Sequence, residues 1–354
     1  MTSRTVDFIY KILRGGADYG FLRAIGAPTI RCDGDTEIHM SFSGSFSPEA
    51  RDASGNRLDF DLLSDEIEAV LVTDGVEHSL GVFLASTVTP SETDGAEELQ
   101  VEAFDRCWRV RDIYSEGPIY FAAGVPYLTA IEQLLTQAGI TTVLSTPTAA
   151  ALSEEREDWG IGVSYLKIIN DLLSEINYKP LWINSHGVAM LQPETVPTAE
   201  NIQHTMDARE IDDMVLPELS RETDIYSAAN VFLVYCANPD KSGIMTAMAE
   251  NTNPQSPLSI PRRGRRIMSV ERLDNIADQA ALQAYADKRR NDSMVGGETI
   301  NVSTALMPGY GVDDVVALHY GEINGICIDK AWEMDLEVGG MMRHTLKRVV
   351  YNLD

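Results

Sequence analysis

At 354 residues the chain is long enough for about two or three folding units, and 44% hydrophobic with 23% charged content excludes disorder as the default state. Asp and Glu total 54 against 28 Lys and Arg, a net charge of −26 that argues against gripping phosphate backbones by counterion release. Met1 to Arg14 lacks the apolar core of a cleaved leader and no run approaches a membrane span, so the expectation is synthesis in the cytoplasm without membrane insertion. The acidity suits solubility; it also suits a passage wall along which nucleic acid slides without being held. Cys32, Cys107, Cys236 and Cys327 lie far apart among apolar or aromatic neighbours, which predicts buried reduced thiols rather than disulfides or a metal set.

The first third reads as β structure. Glu37–Phe46 alternates apolar and polar residues, as do Glu68–Thr73, His78–Thr87 and Leu99–Phe104. Asp74-Gly75 is a two-residue hairpin signal, while the polar stretch Pro90–Glu98 reads as a loop. Short strands with tight turns suggest a small antiparallel barrel or sandwich. After Tyr114 the texture changes. Pro126 opens a helix carrying Leu128, Ile131, Leu134, Leu135 and Ala138 at helical spacing, and Gly139 stops it. Ser145–Asp158 reads as an exposed connection. A second helix over Ser164–Ile176 has Leu166, Ile169, Leu172, Leu173 and Ile176 on one stripe. Lys179–Ile183 and Val188–Leu191 flank Asn184–Gly187 as a hairpin.

From Asn201 onward β signals return. Asn230–Ala237 is apolar enough for a buried strand, and Asn251–Arg266 is a polar loop ending in four arginines. A third helix is predicted over Ser269–Arg290, with Ser269 as its N-cap. Strands follow at Thr299–Leu306, Asp314–His319, Ile323–Ile328, Ala331–Glu337 and Met342–Val350. The division expected is 1–115 as a first β domain, 116–203 as an inserted α+β domain, and 204–354 as a second β domain with a loop and helix insertion around 238–292.

Chemistry is hard to find. There is no phosphate-binding loop, nucleophile elbow or His-Glu-x-x-His helix. The paired glycines Gly15-Gly16, Gly296-Gly297 and Gly339-Gly340 read as turns. The histidines are scattered, and no cofactor or metal is expected. Glu154-Glu155, Asp212-Asp213 and Glu97-Glu98 sit in polar surroundings, where solvated faces explain them better than an acid/base pair. Trp108, Trp159, Trp182 and Trp332 are dispersed, as core residues would be. The most distinctive local feature is Arg262, Arg263, Arg265 and Arg266, a mobile basic knot introduced by Pro261 and split by Gly264. No aromatic residues interleave to stack bases, so the site expected is a protein contact in which arginine forks meet carboxylates of a neighbouring subunit.

Several segments together resemble phage baseplate hub proteins of the PBSX-like prophage type. They are HSLGVFLAST (His78–Thr87) with AFDRCW (Ala103–Trp108), YLKIINDLLSEINYKPLWINSHGVAML (Tyr165–Leu191), and NVFLVYCANPD (Asn230–Asp240) followed by ENTNPQSPLSIPRRGRRI (Glu250–Ile267). The resemblance runs through most of the chain in order. It implies a mainly β α+β protein with two tail-tube-like antiparallel β-barrel domains and an inserted α+β domain. It implies a structural hub of a contractile phage tail or tail-like bacteriocin, in which a homotrimer imitates a six-fold ring. The partners implied are the tail tube protein, the central spike, and other baseplate and tape-measure proteins, with no catalytic residues. The rival readings are a tail-associated cell-wall hydrolase using a carboxylate such as Glu154, and a receptor- or carbohydrate-binding β module.

Overall fold

A computed structural model describes residues 4–93, 96–209, 215–222, 229–236, 244–273, 275–295 and 298–349. The class is mainly β α+β, as expected. The strands of both chain ends, however, belong to one 15-stranded sheet. From the first end the hydrogen-bonded order is Arg57–Leu58, Ala50–Arg51, Ala17–Leu22, Val6–Arg14, Glu66–Thr73, Val76–Thr93, Ala96–Asp105, Met40–Phe46 and Thr29–Asp33. The path then crosses to Ile323–Asp335, Met341–Arg348, Thr299–Ala305 and Val215–Glu222, with Asp314–Tyr320 and His204–Asp207 added on the flank.

The crossing is a short antiparallel ladder. It pairs Asp33 with Ala331, Cys32 with Trp332, Arg31 with Glu333, Ile30 with Met334 and Thr29 with Asp335. Alternation sends Ile30, Cys32, Trp332 and Met334 into the interior, and sends Arg31 and Glu333 to the opposite face. One apolar core therefore runs from Ile12, Phe42 and Phe83 in the first half to Met342 and Leu346 in the second. Ile323–Asp335 is a single strand where two were expected. A bulge between Asp329 and Ala331 lets its first part pair with Asp314–Tyr320 and its second part with Thr29–Asp33.

The hairpin at Asp74-Gly75 forms, both residues taking positive φ as a two-residue turn requires. In the stretch expected to be a loop, Pro90–Thr93 and Ala96–Glu98 are instead strand, the outer part of the Val76–Thr93 and Ala96–Asp105 pair. Pro90 is paired with Leu99 on one side, and among the described residues no strand pairs with its other edge, a position where proline is tolerated in a sheet. The strands Val6–Arg14, Ala17–Leu22 and Thr29–Asp33 carry enough charge and glycine to hide their period.

A second core gathers residues between Cys107 and Leu191. Its helices are Tyr127–Gln137, entered through Pro126, and Tyr165–Glu175, where Ser164 Oγ accepts the Lys167 N–H at 3.2 Å. Ser145–Asp158 is not wholly an exposed connection. Arg156 begins a strand, is buried, and donates to Glu175, which also accepts from Tyr127 Oη at 2.8 Å. This core is bolted to the sheet at the hairpin turn Asn184–Gly187. Arg106 pairs with Glu66 through Nε at 3.0 Å and Nη2 at 2.6 Å, and donates from Nη1 to the Gly187 carbonyl at 2.8 Å. Ser79 Oγ donates to the Ser185 carbonyl at 2.8 Å.

The predicted helix over Ser269–Arg290 is replaced by two elements. Met268–Leu273 is a strand parallel to Val231–Cys236, and the helix is Gln279–Val295. Ser269 is therefore a strand residue and not an N-cap; the apolar side chains Met268 and Val270 repeat at period two. Val231–Cys236 also pairs with Met245–Glu250, and the helix packs on one face of this three-stranded sheet around Val234, Ala247, Leu282 and Ala286. Ala237, Gly296-Gly297 and Val350 lie outside the described residues. No described helix is long and apolar enough to cross a membrane.

Gly187 takes φ +72, and a Cβ there would stand 2.8 Å from Arg106 Nη1. Gly187→Ala is expected to cost about 1–3 kcal/mol in urea unfolding, whereas Gly117→Ala, with open space around it, stays within about 0.5 kcal/mol. Asp65 receives both Nε and Nη2 of Arg14 at 2.8 and 2.7 Å, and these hydrogen bonds hold its carboxyl below the usual range. Its contribution is therefore present above the unfolded pKa of about 4 and lost as pH falls through the lower folded value. The stability deficit of Asp65→Asn relative to wild type should accordingly shrink on acidification; a deficit that grows would contradict this pairing.

Candidate functional site

The face of the large sheet opposite the core is polar across the crossing. Ser41, Ser43 and Ser45 stand beside Glu102 and Gln100, and across the ladder Arg343 and Thr345 stand beside Ser303 and Asn301. The charges here are of both signs, and the arginines are paired. Arg31 reaches Asp33 at 3.3 Å, and Arg343 binds Asp335 at 2.7 Å and also Glu333. A shallow groove of about 650 Å³ on this face is lined by Arg31, Ser220, Asn301, Ser303, Glu333 and Thr345, among others. Such a surface presents hydroxyls, amides and neutralised charges. It holds no convergent set of catalytic groups.

Of the four predicted contact arginines, Arg262 and Arg263 lie on one helical turn and Arg265 and Arg266 directly follow it. Ile260–Arg263 is a single helical turn capped by Ser259 and ended by Gly264 in the left-handed conformation, φ 64. It is an anchored turn rather than a loose knot. The fully buried Asn230 donates from Nδ2 to the Arg265 carbonyl at 3.0 Å and the Leu258 carbonyl at 3.3 Å, and its Oδ1 accepts the Ile267 N–H at 2.7 Å. Asn251, also buried, donates from Nδ2 to Ser256 Oγ at 2.9 Å and accepts the Ile260 N–H at its carbonyl at 2.9 Å. Sequence reasoning took both asparagines for ordinary strand-end and loop residues. Arg262, Arg265 and Arg266 are exposed and Arg263 is half-buried. Arg266 binds Glu250 at 2.6 Å, while Arg262 and Arg265 have no carboxylate partner among the described residues.

Sequence reasoning missed one constellation entirely. Thr304 Oγ1 lies 3.1 Å from His344 Nε2, and His344 Nδ1 lies 2.6 Å from Asp329 Oδ2. Residues 15 and 40 apart in sequence meet because their strands are adjacent; nothing local signals them. The order of groups imitates a nucleophile, base and acid. All three side chains are buried, and the Thr304 hydroxyl donates to the Ala305 carbonyl, so the chain of bonds is closed to any substrate. Burial pushes the Asp329 carboxyl up to about 6, against the opposing pull of His344. Tyr310 packs between His344 and His204, and His204 Nε2 meets Asp314 at 3.0 Å. These groups stiffen the second half of the sheet.

The remaining candidates separate. Glu154 is half-buried, and Glu155 is exposed with its carboxylate 3.4 Å from Tyr120 Oη; Asp212-Asp213 lies outside the described residues. Glu97 and Glu98 lie on a strand rather than in a loop. All four cysteines are buried and none is in a disulfide, as expected. Among the tryptophans, Trp159 and Trp332 are buried, and Trp108 and Trp182 are half-buried. No group of three His, Cys, Asp or Glu residues among the described residues converges on a metal position.

No family profile matches the chain, and no curated protein does. Solved structures do. A tail protein from Neisseria meningitidis MC58 superposes at TM-score 0.68 with 15% identity, covering 98% of each chain. The 43 kDa tail protein of prophage MuSo2 from Shewanella oneidensis gives 0.66 with 9% identity, covering 97% of this chain and 98% of that one. An E. coli protein described as a type VI secretion component similar to the T4 tail proteins gp27 and gp5 gives 0.50 with 10% identity, covering 97% and 77%. At these identities the finding is one of fold: end to end, this chain is built like phage tail proteins.

Replacing Asp329 by Ala leaves His344 Nδ1 without its partner in a dry core. The expected loss is about 1–3 kcal/mol in chemical denaturation, the scale for leaving a buried hydrogen-bonding group without its partner. A loss under about 1 kcal/mol would mean that the network contributes little.

Proposed function

We propose that the chain is a structural hub of a phage-type tail, three copies closing into a ring that joins a six-fold tube to a three-fold spike. The observation that carries this reading is the Thr29–Asp33 to Ile323–Asp335 seam. A ring of β subunits needs edge strands that pair side by side, and here two β regions of one chain already do so. One chain then supplies two adjacent positions, and three chains supply six. The fold likeness to tail proteins supports the same role. In this reading residues 1–115 and 204–354 are the two tube-like units and 116–203 is the insert. Its partners are the tube protein, the spike, and other baseplate and tape-measure proteins. The protein is made in the bacterial cytoplasm and built into a phage or bacteriocin particle, and it works by assembly, without catalysis of its own.

The polar face would form the wall of the passage. Its charge is milder than the strongly acidic wall that the overall charge suggests: Arg31 and Arg343 bind Asp33, Glu333 and Asp335, two cations against three carboxylates. Hydroxyls, amides and paired charges give a passing polymer few strong attachment points.

Native mass measurement of the purified chain, alone and with its spike, tests the proposal. A trimer in either sample is expected. A monomer in both would overturn the hub reading.

A further inference from the structure

The small sheet beside the arginine turn has two unlike faces. Val234, Cys236, Ala247 and Ala249 point to the helix Gln279–Val295. On the other face Leu233 stands between Met248 and Val270, with Met268 next along the strand. Met248, Met268 and Val270 are 49%, 52% and 58% exposed. An apolar group of this kind in one plane marks a contact surface more often than chance exposure. The arginine turn forms its rim. Glu250 lies on the same face as Met248, two residues along, and it receives Arg266 at 2.6 Å. Beside it Arg262 and Arg265 are exposed without a carboxylate partner among the described residues.

A complementary feature stands elsewhere on the chain. The Val76–Thr93 and Ala96–Asp105 hairpin outruns its neighbours: Glu66–Thr73 pairs only as far as Leu84, and Met40–Phe46 only as far as Leu99. On the projecting part Glu92 is directly opposite Glu97, and both are exposed without a cationic partner among the described residues. Like charges directly opposite in a ladder destabilise it, so the isolated hairpin has no internal reason to carry them. A cation from outside would relieve the repulsion. In a chain of net charge −26, the arginine turn is the densest cluster of cations that a second copy could offer.

We propose that the apolar sheet face and its arginine rim dock a second copy of this chain, with Arg262 and Arg265 meeting Glu92 and Glu97 of that copy. The inference rests on the hub reading and names the contact between neighbouring copies. Two different surfaces of one chain that fit each other make a heterologous contact, the kind that closes into rings. The apolar centre excludes water, and the guanidinium forks at its edge select carboxylates in register.

Charge exchange tests this on the full chain, with association read by sedimentation equilibrium, alone and with the spike. R262E/R265E, and separately E92R/E97R, should each weaken association by at least about tenfold, and the fourfold variant carrying both pairs should recover most of it. Since all four side chains are exposed, unchanged thermal midpoints of the variants separate lost contact from lost fold; R262K/R265K, which keeps the charges, should associate nearly as wild type does. If wild type forms trimers and the two reversals leave them unaltered, this contact is wrong while the hub reading stands. If the reversals weaken association and the fourfold variant fails to recover, Glu92 and Glu97 are not the acceptors and the proposal falls. A wild type that stays monomeric under both conditions overturns both.

Discussion

The architecture depends on five residue pairs. The ladder between Thr29–Asp33 and Ala331–Asp335 is where the two ends of the chain become one sheet and one core. Its inward members, Ile30, Cys32, Trp332 and Met334, are all but fully buried, so separating the halves would open apolar surface from both. Trp332 adds a specific tie, donating from Nε1 to the Gly311 carbonyl at 3.0 Å. The bulge after Asp329 lets a single long strand serve both halves, and His344 and Thr304 gather at the residue beside that bulge. Polar groups so deep in a core are tolerated because most are paired; among the described residues Asp329 Oδ1 and Tyr10 Oη are buried in this core without a partner.

Two further units hang on this frame by different physics. The 107–191 core is fastened by charge-assisted bonds from Arg106 to Glu66 and to the Gly187 carbonyl, which orient a hairpin turn against the sheet. Among the described residues from Val231 to Val295, one face of a three-stranded sheet is buried under a helix, while Met248, Met268 and Val270 on the other face are exposed. A frame whose elements share a continuous core suits a stiff mechanical part. Outlying surfaces with their own small cores suit contacts that form on assembly.

Much of the secondary structure was legible in the residues. Ser164 and Gly139 bound their helices as their chemistry demands, and Asp74-Gly75 turns a hairpin. Legibility failed where local rules conflicted. The polarity of Pro90–Glu98 argued for a loop, yet its described residues pair as strands, with Pro90 opposite Leu99. Ser269 imitated a helix N-cap, but the place beside Val231–Cys236 drew Met268–Leu273 into a parallel strand. The arginine cluster was visible at once, since four like charges in five residues need no structure to be seen. Its anchoring was not, because an asparagine that satisfies three backbone groups from a buried position looks in sequence like any turn asparagine.

By itself the sequence determined a large, acidic, mainly β chain with an α+β middle, no recognised catalytic motif, and a resemblance to tail hubs carried by several ordered segments. These follow from properties that each residue has locally: charge, period and turn preference. Only the tertiary structure decided that the two β ends share one sheet, that the arginines of its polar face are paired with carboxylates, and that Thr304, His344 and Asp329 meet in the core. Each of those depends on which strand lies beside which, a choice set by the burial of side chains some three hundred residues apart, as with Cys32 and Trp332.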